Sequence, residues 1–175
     1  FEADKLDNSY HTFSAGGVDF LVFSLEFGPR NEVLSWADSI IAAHPNYRVI
    51  ILTHAYLDGD GSRLSSGDPG NPHYYGLTGS VNDGEEMWRA LIKKHKNIDF
   101  VFSGHVRGVN NTGCANAYTV DVGDTGNIVH QIVANYQDCY NGGSGYLRII
   151  TFDPASQSAA VKTYSPYLNS LLTDA

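Results

Sequence analysis

Two short stretches hold the residues best suited to chemistry: Leu52-Thr53-His54 and Phe102-Ser103-Gly104-His105-Val106-Arg107. Each histidine follows a short run of apolar, β-branched or aromatic residues, Arg48 to Leu52 in one case and Ile98 to Phe102 in the other. Such runs read as buried parallel strands. Ligands of open α/β sheets bind at the carboxyl edge, so two imidazoles brought there by different strands can converge on one metal ion or one phosphate. Two histidines do not complete a metal site, because zinc and manganese usually take at least three protein ligands. Further candidates are Asp58, Asp60, Asp68 and His73 in a long polar segment, and Asn135 at the end of a later strand, none with diagnostic spacing. Asp58-Gly59-Asp60-Gly61 resembles part of a calcium loop but lacks its later carboxylates, and a solvated turn is the better reading. His11 and His44 read as surface or capping residues, and His130 lies in an alternating strand that can face either way.

Nucleophilic catalysis has weaker support. No G-x-S-x-G elbow occurs, and Gly143-Ser144-Gly145 falls in a hairpin turn, not between a strand and a helix. Ser103 is close to His105 in sequence, but no carboxylate is placed to orient that imidazole as a base. Cys114 and Cys139, the two cysteines, are better explained by each other than as nucleophiles.

The elements that must position the histidines follow from hydrophobic periodicity. Asn8 to Phe13 alternates loosely, turns at Ser14-Ala15-Gly16-Gly17 and enters a buried strand from Val18 to Leu25. Val33, Leu34, Trp36, Ala37, Ile40 and Ile41 recur at helical spacing up to His44-Pro45, so strand, helix and the strand into His54 form a βαβ unit. Ala55 to Gly84 is rich in Gly, Asp, Ser, Asn and Pro and reads as a long loop, either a binding loop or a mobile surface excursion. A second helix is predicted from Gly84 or Glu85 to His95, with Met87, Trp88, Leu91 and Ile92 on one face. After Gly108 the texture becomes antiparallel, with runs from Ala117 to Val122, Ile128 to Tyr136, Tyr146 to Phe152 and Ala159 to Tyr164, then a polar tail from Ser165. Folding about the Asp124-Thr125-Gly126-Asn127 turn brings Cys114 opposite Cys139, so a cross-strand disulfide is expected.

At 175 residues, with no repeat or linker, the chain reads as a single domain, 1–175. Its net charge of -8 disfavours a broad nucleic-acid or anionic-membrane surface, and no apolar run is long enough to span a membrane. The chain starts at Phe1 without a signal-like region, as a processed product or fragment would. Eighteen glycines and eleven tyrosines beside a single Met give it the look of an exported protein, and the cysteine pair agrees. An Asn110-Asn111-Thr112 sequon would matter only in a eukaryotic secretory route.

Over nearly its whole length the chain resembles the C-terminal half of the calcineurin-like metallophosphoesterases. The likeness rests on Thr53-His54, on Gly104-His105-Val106-Arg107, and on the β-rich close with Ala134-Asn135-Tyr136-Gln137 and Gly145-Tyr146-Leu147-Arg148. It is most similar to bacterial, exported members that run on into Thr163-Tyr164-Ser165-Pro166. The resemblance implies an α/β fold, half of an αββα sandwich with a mixed sheet, two main helices and an antiparallel C-terminal part. It also implies a metal-dependent hydrolase of small phosphate mono- or diesters in which His54 and His105 ligate a divalent metal (Mn, Zn or Fe). Arg107 stands where the family has a second histidine; it cannot ligate but can hold a phosphate, and Asn135 is the remaining site residue. The family's Asp-x-His, Gly-Asp-x-x-Asp and Gly-Asn-His motifs do not occur, so this chain reads as the second half of a longer enzyme and its isolated activity as weak or missing. Alternatives are a residual activity, such as carboxylic-ester hydrolysis, and a non-catalytic module that self-associates. Half a sandwich leaves strand edges and an apolar face to cover, so a homo-oligomer is expected. The expected location is secreted or periplasmic.

Overall fold

The structure is a computed structural model describing residues 1–108 and 113–172; the Asn110-Asn111-Thr112 sequon lies outside the described residues. Strands Ser9–Ala15 (β1) and Val18–Ser24 (β2) form the expected hairpin, in register from Ser9 opposite Ser24 to Ala15 opposite Val18. Helix Asn31–Ala43 (α1) buries Val33, Leu34, Ala37 and Ile41, and its end is met by His44, whose Nδ1 lies 2.7 Å from the Ile40 carbonyl oxygen. Strand Arg48–Leu52 (β3) then runs parallel to β2 and closes the βαβ unit. Helix Gly84–Ala90 (α2) leads to Ile98–Ser103 (β4), and the hairpin of Ala115–Val122 (β5) and Ile128–Asn135 (β6) follows.

These six strands make one mixed sheet in the order β1-β2-β3-β4-β6-β5, and Leu147–Asp153 (β7), Ser158–Ser165 (β8) and Ser170–Leu171 (β9) make a second. The fold class is therefore α/β with a mixed sheet, few helices and antiparallel C-terminal strands. The hairpin partner β6 also pairs in parallel with β4, so the inner four strands all point the same way. Leu21, Phe23, Val49, Ile51, Val101, Val129 and Val133 form one buried cluster with the apolar faces of both helices. The other face carries Phe20 and Phe100, and the second sheet rests there through Phe152, whose ring lies 6.1 Å from the first and 5.1 Å from the second.

Three expectations change. The second helix leaves α geometry at Leu91 and finishes as a tighter turn over Ile92–Lys94, which frees the Lys93 carbonyl to accept the Asp124 N–H at 2.7 Å. The segment from Ala55 to Gly84 is neither structureless nor a surface excursion. Tyr56, Leu57 and Leu64 are fully buried, Leu57 and Arg63 form an isolated bridge, and Pro72–Tyr74 is a short 3-10 turn. The Tyr56 hydroxyl donates to Gln131 at 2.8 Å inside the core, where burial pushes its pKa well above the ordinary value. Arg63 lies over the Trp88 ring and reaches Glu85, Asp121 and Gln131, so the loop is tied to α2 and to both strands of the β5–β6 hairpin. Lastly, the polar tail folds back as β9 against β8.

Cys114 and Cys139 are bonded as expected, with Cα atoms 5.1 Å apart. Closing this loop is worth about 2–4 kcal/mol. One face is left open. Tyr118, Val120 and Val122 of β5 and Ile128 of β6 lie on the second sheet's side yet remain 42% to 65% exposed. A cleft of about 390 Å³ separates Tyr118 from Val161 and Thr163 of β8. The surface of 9271 Å² is about a tenth more than the ~8,400 Å² expected of a monomer of this size.

Gly84, the first residue of α2, is fixed by close packing. A β-carbon there would stand 2.0 Å from the Tyr56 carbonyl oxygen. Helix propensity alone favours Gly84→Ala by up to about 1 kcal/mol. Packing reverses the sign, and we expect urea denaturation to show Gly84→Ala less stable by at least about 2 kcal/mol.

Candidate functional site

The histidines meet because the carboxyl ends of β3 and β4 pair side by side, past a register shift between Val49 and Ile50. Leu52 pairs with Phe102, the Thr53 N–H donates to the Phe102 carbonyl at 3.1 Å, and the Gly104 N–H donates to the His54 carbonyl at 3.0 Å. One residue later the chain turns sharply: the Val106 N–H donates back to the Gly104 carbonyl at 2.8 Å, and His105 takes a left-handed φ of 64°. That conformation costs a residue with a β-carbon on the order of 1–2 kcal/mol. Asn135, at the end of β6, holds it in place by donating its amide to the His105 carbonyl at 3.1 Å and the Val106 carbonyl at 2.9 Å.

The outcome is a facing imidazole pair, His105 Nδ1 to His54 Nε2 at 3.1 Å. Two nitrogens each about 2.1 Å from one ion and 90–110° apart would stand about 3.0–3.4 Å from each other, so the pair fits two neighbouring positions of a metal. Without an ion the same distance is a hydrogen bond from whichever ring carries the proton. Burial, and then the proximity of His54, hold the His105 pKa below its ordinary value, while a hydrogen bond to Gly70 acts the other way. Its neutral, lone-pair-bearing form is therefore favoured near neutral pH.

The pair is not a complete metal site. Among the described residues, His73, Asp83 and Glu86 are the group of three potential donors within 4.8 Å of one another, and it includes neither His54 nor His105. That group is a helix cap. Asp83 Oδ1 accepts the Glu86 N–H, its Oδ2 accepts the Asn71 amide, and Glu86 Oε2 accepts the Asp83 N–H at 2.9 Å and lies 2.7 Å from His73 Nε2. Asp58, Asp60 and Asp68 accept N–H groups of Gly59, Ser62 and Ser65 within their own turns. Glu26, beyond β2, is held by Arg30 and Asn8, whose hydrogen bonds outweigh the upward effect of its burial and lower its pKa.

Of the other expected site residues, Arg107 pairs with Asp138 at 3.0 Å, and about half of its side chain faces solvent. Asn135 acts on backbone, as a positioning group for His105. The Ser103 hydroxyl accepts the Leu57 N–H at 3.5 Å, and His130 stacks on Phe100 and meets the Tyr118 hydroxyl at 2.8 Å. The disulfide joins the segments that carry Arg107 and Asn135 to each other.

Periodicity gave no sign of Phe27 and Tyr75. The Phe27 ring lies 5.6 Å from His54 and 4.9 Å from His105, and the Tyr75 ring 5.2 Å from His105 and 5.0 Å from Phe27. The available hint was Phe27's place just past a strand end, on the same carboxyl edge as the histidines.

No family model matches the chain. It is similar to the uncharacterized protein YvnB of Bacillus subtilis (strain 168), 27% identical over 186 residues that cover 96% of this chain. The chain spans about 13% of the length of that relative.

His105→Gly separates backbone from imidazole. Glycine accepts the left-handed φ without strain, so thermal unfolding should give a stability within about 1 kcal/mol of the parent. A larger loss would mean that the ring itself, through Phe27 and Tyr75, holds the fold.

Proposed function

We propose that this chain is part of a metal-dependent phosphoester hydrolase of the calcineurin-like metallophosphoesterase type, in which His54 and His105 ligate one divalent ion of Mn, Zn or Fe. The observation that carries the reading is the 3.1 Å approach of two imidazoles from neighbouring parallel strand ends. A bound divalent ion supplies Lewis acidity toward a phosphoryl oxygen and lowers the pKa of a water. The chain's own residues hold that position. His105 offers its lone pair from a backbone that Asn135 fixes, and Arg107, released from or sharing Asp138, can bind a phosphate through two N–H groups. The missing ligands lie outside these residues, and the greater length of the relative gives room for them.

The architecture supports the same reading. Helices cover one face of the six-stranded sheet and the smaller sheet lies on its other face, a layering that an αββα sandwich would share. The outer face of β7 shows Leu147 and Ile149, 43% and 45% exposed, where a fourth layer would pack. The cysteine bond favours export to an oxidising, extracytoplasmic location; among the described residues no helix is long and apolar enough to cross a membrane. A carboxylic-ester hydrolase using an activated histidine is the competing enzyme reading, and chelators separate the two.

We expect zinc titration to show saturable binding that His54→Ala weakens at least tenfold, and any hydrolysis of aryl phosphate mono- or diesters to be lost with EDTA and restored by Mn or Zn. Zinc binding that is indifferent to His54 overturns the proposal.

The open apolar face on β5 and β6 favours self-association as well. For this chain by itself the available cover is a second copy, and light scattering at micromolar concentration should give the mass of a dimer or larger. A monomer mass rules this out.

A further inference from the structure

Phe27 and Tyr75 stand beside the histidine pair with more aromatic surface than packing alone uses. Tyr75 touches His105 and Phe27 edge-to-face, yet 51% of it stays exposed, and Tyr74 and Leu77 in the same loop are 59% and 41% exposed. The turn that presents Tyr75 is tied down by local hydrogen bonds and a buried proline. Pro72 is buried, the Asn71 side chain accepts the His73 N–H at 2.9 Å, the Tyr75 N–H donates to the Pro72 carbonyl at 3.2 Å, and the Tyr74 hydroxyl accepts the Gly67 N–H at 2.9 Å. A ring held at this angle is pre-organised for binding, so stacking on it costs little ordering.

We propose that Tyr75, backed by Phe27, is a stacking subsite for a planar aromatic group carried by the phosphoester, which deepens the hydrolase reading and rests on it. A phosphoryl group placed at the two imidazoles would carry its ester substituent past Tyr75, whose ring centroid lies 5.2 Å from that of His105. Asp58, Asp60 and Asp68 accept hydrogen bonds within their own turns, and Glu86 is engaged in the helix cap and with His73. An uncharged aromatic wall selects a flat ring over a polyol such as glycerol.

The test measures binding, not turnover, so it does not depend on a complete metal site. The full chain, supplemented with zinc, is titrated with phenyl phosphate, AMP, glycerol 3-phosphate and phenol, and dissociation constants are read from chemical-shift changes. We expect at least one aromatic phosphate to bind about tenfold tighter than glycerol 3-phosphate. Tyr75→Ala should bring that ratio close to one, and Tyr75→Phe should retain it. Tighter phenyl phosphate identifies an aryl substituent and tighter AMP a nucleobase. Equal binding of the three phosphates, or a ratio unmoved by Tyr75→Ala, overturns the stacking subsite and leaves the phosphoester reading standing. Phenol binding as tightly as phenyl phosphate, with loss in Tyr75→Ala, keeps the subsite and removes the phosphoester reading. No binding of any probe overturns both.

Discussion

The parallel pairing of β3 with β4, continuous from Ile50 beside Phe100 to Leu52 beside Phe102 after a register shift at Val49, governs the geometry of this molecule. Since Leu52 stands beside Phe102, the residues that follow each strand emerge side by side, and backbone hydrogen bonds from Thr53 and Gly104 continue the pairing past the last sheet position. A slip of β3 by one residue would turn Val49 and Ile51 out of the helix-side core and at the same time part the two imidazoles. Core packing and site assembly are therefore set by one register. Placing β6 parallel to β4 adds Asn135 to the same edge, and only from that edge can its amide reach the backbone around His105.

A second constraint is polar. The segment between His54 and α2 could not be held by hydrophobic burial alone, because few of its residues are apolar. It is held by the buried Tyr56–Gln131 hydrogen bond and by Arg63, which is clamped among Glu85, Asp121 and the Trp88 ring. Such a network rewards one arrangement and penalises near misses, since an unpaired member would be stranded in a poorly solvated place. Tyr75 inherits its position from this anchoring, since the turn that bears it lies between Leu64 and the Asp83 cap. The aromatic neighbourhood of the histidines thus depends on contacts made at the far ends of the loop.

Much of this was legible locally. The runs into His54 and His105, the α1 stripe and the turn at Asp124 to Asn127 each have a signal within a few residues, and the structure has each in place. The cysteine pairing was expected from the hairpin, but the strand register runs Ala115 beside Asn135, and it is the turn after β6, closed by the Cys139 N–H on the Tyr136 carbonyl, that brings Cys139 to Cys114. What escaped was non-local. Tyr56, Leu57 and Leu64 have no helical or alternating spacing because a small hairpin and turns, not a regular element, bury them. Nothing near Asn135 shows that its amide will be taken by two carbonyls thirty residues earlier, or near Arg107 that Asp138 will pair with it. The early end of α2 depends on a carbonyl claimed by the β5–β6 turn.

The uncovered face of β5 and β6 has a calorimetric consequence. The heat capacity of unfolding tracks apolar surface that passes from shelter into water, and Tyr118, Val120, Val122 and Ile128 are already wet in the folded monomer. The increment should fall below the ~12–15 cal/mol/K per residue of well-covered domains, which flattens the curve of stability against temperature. A chain with such a curve gains less from its temperature optimum than a sealed sandwich and yields more slowly on either side of it. Covering the face would steepen the curve as well as raise it.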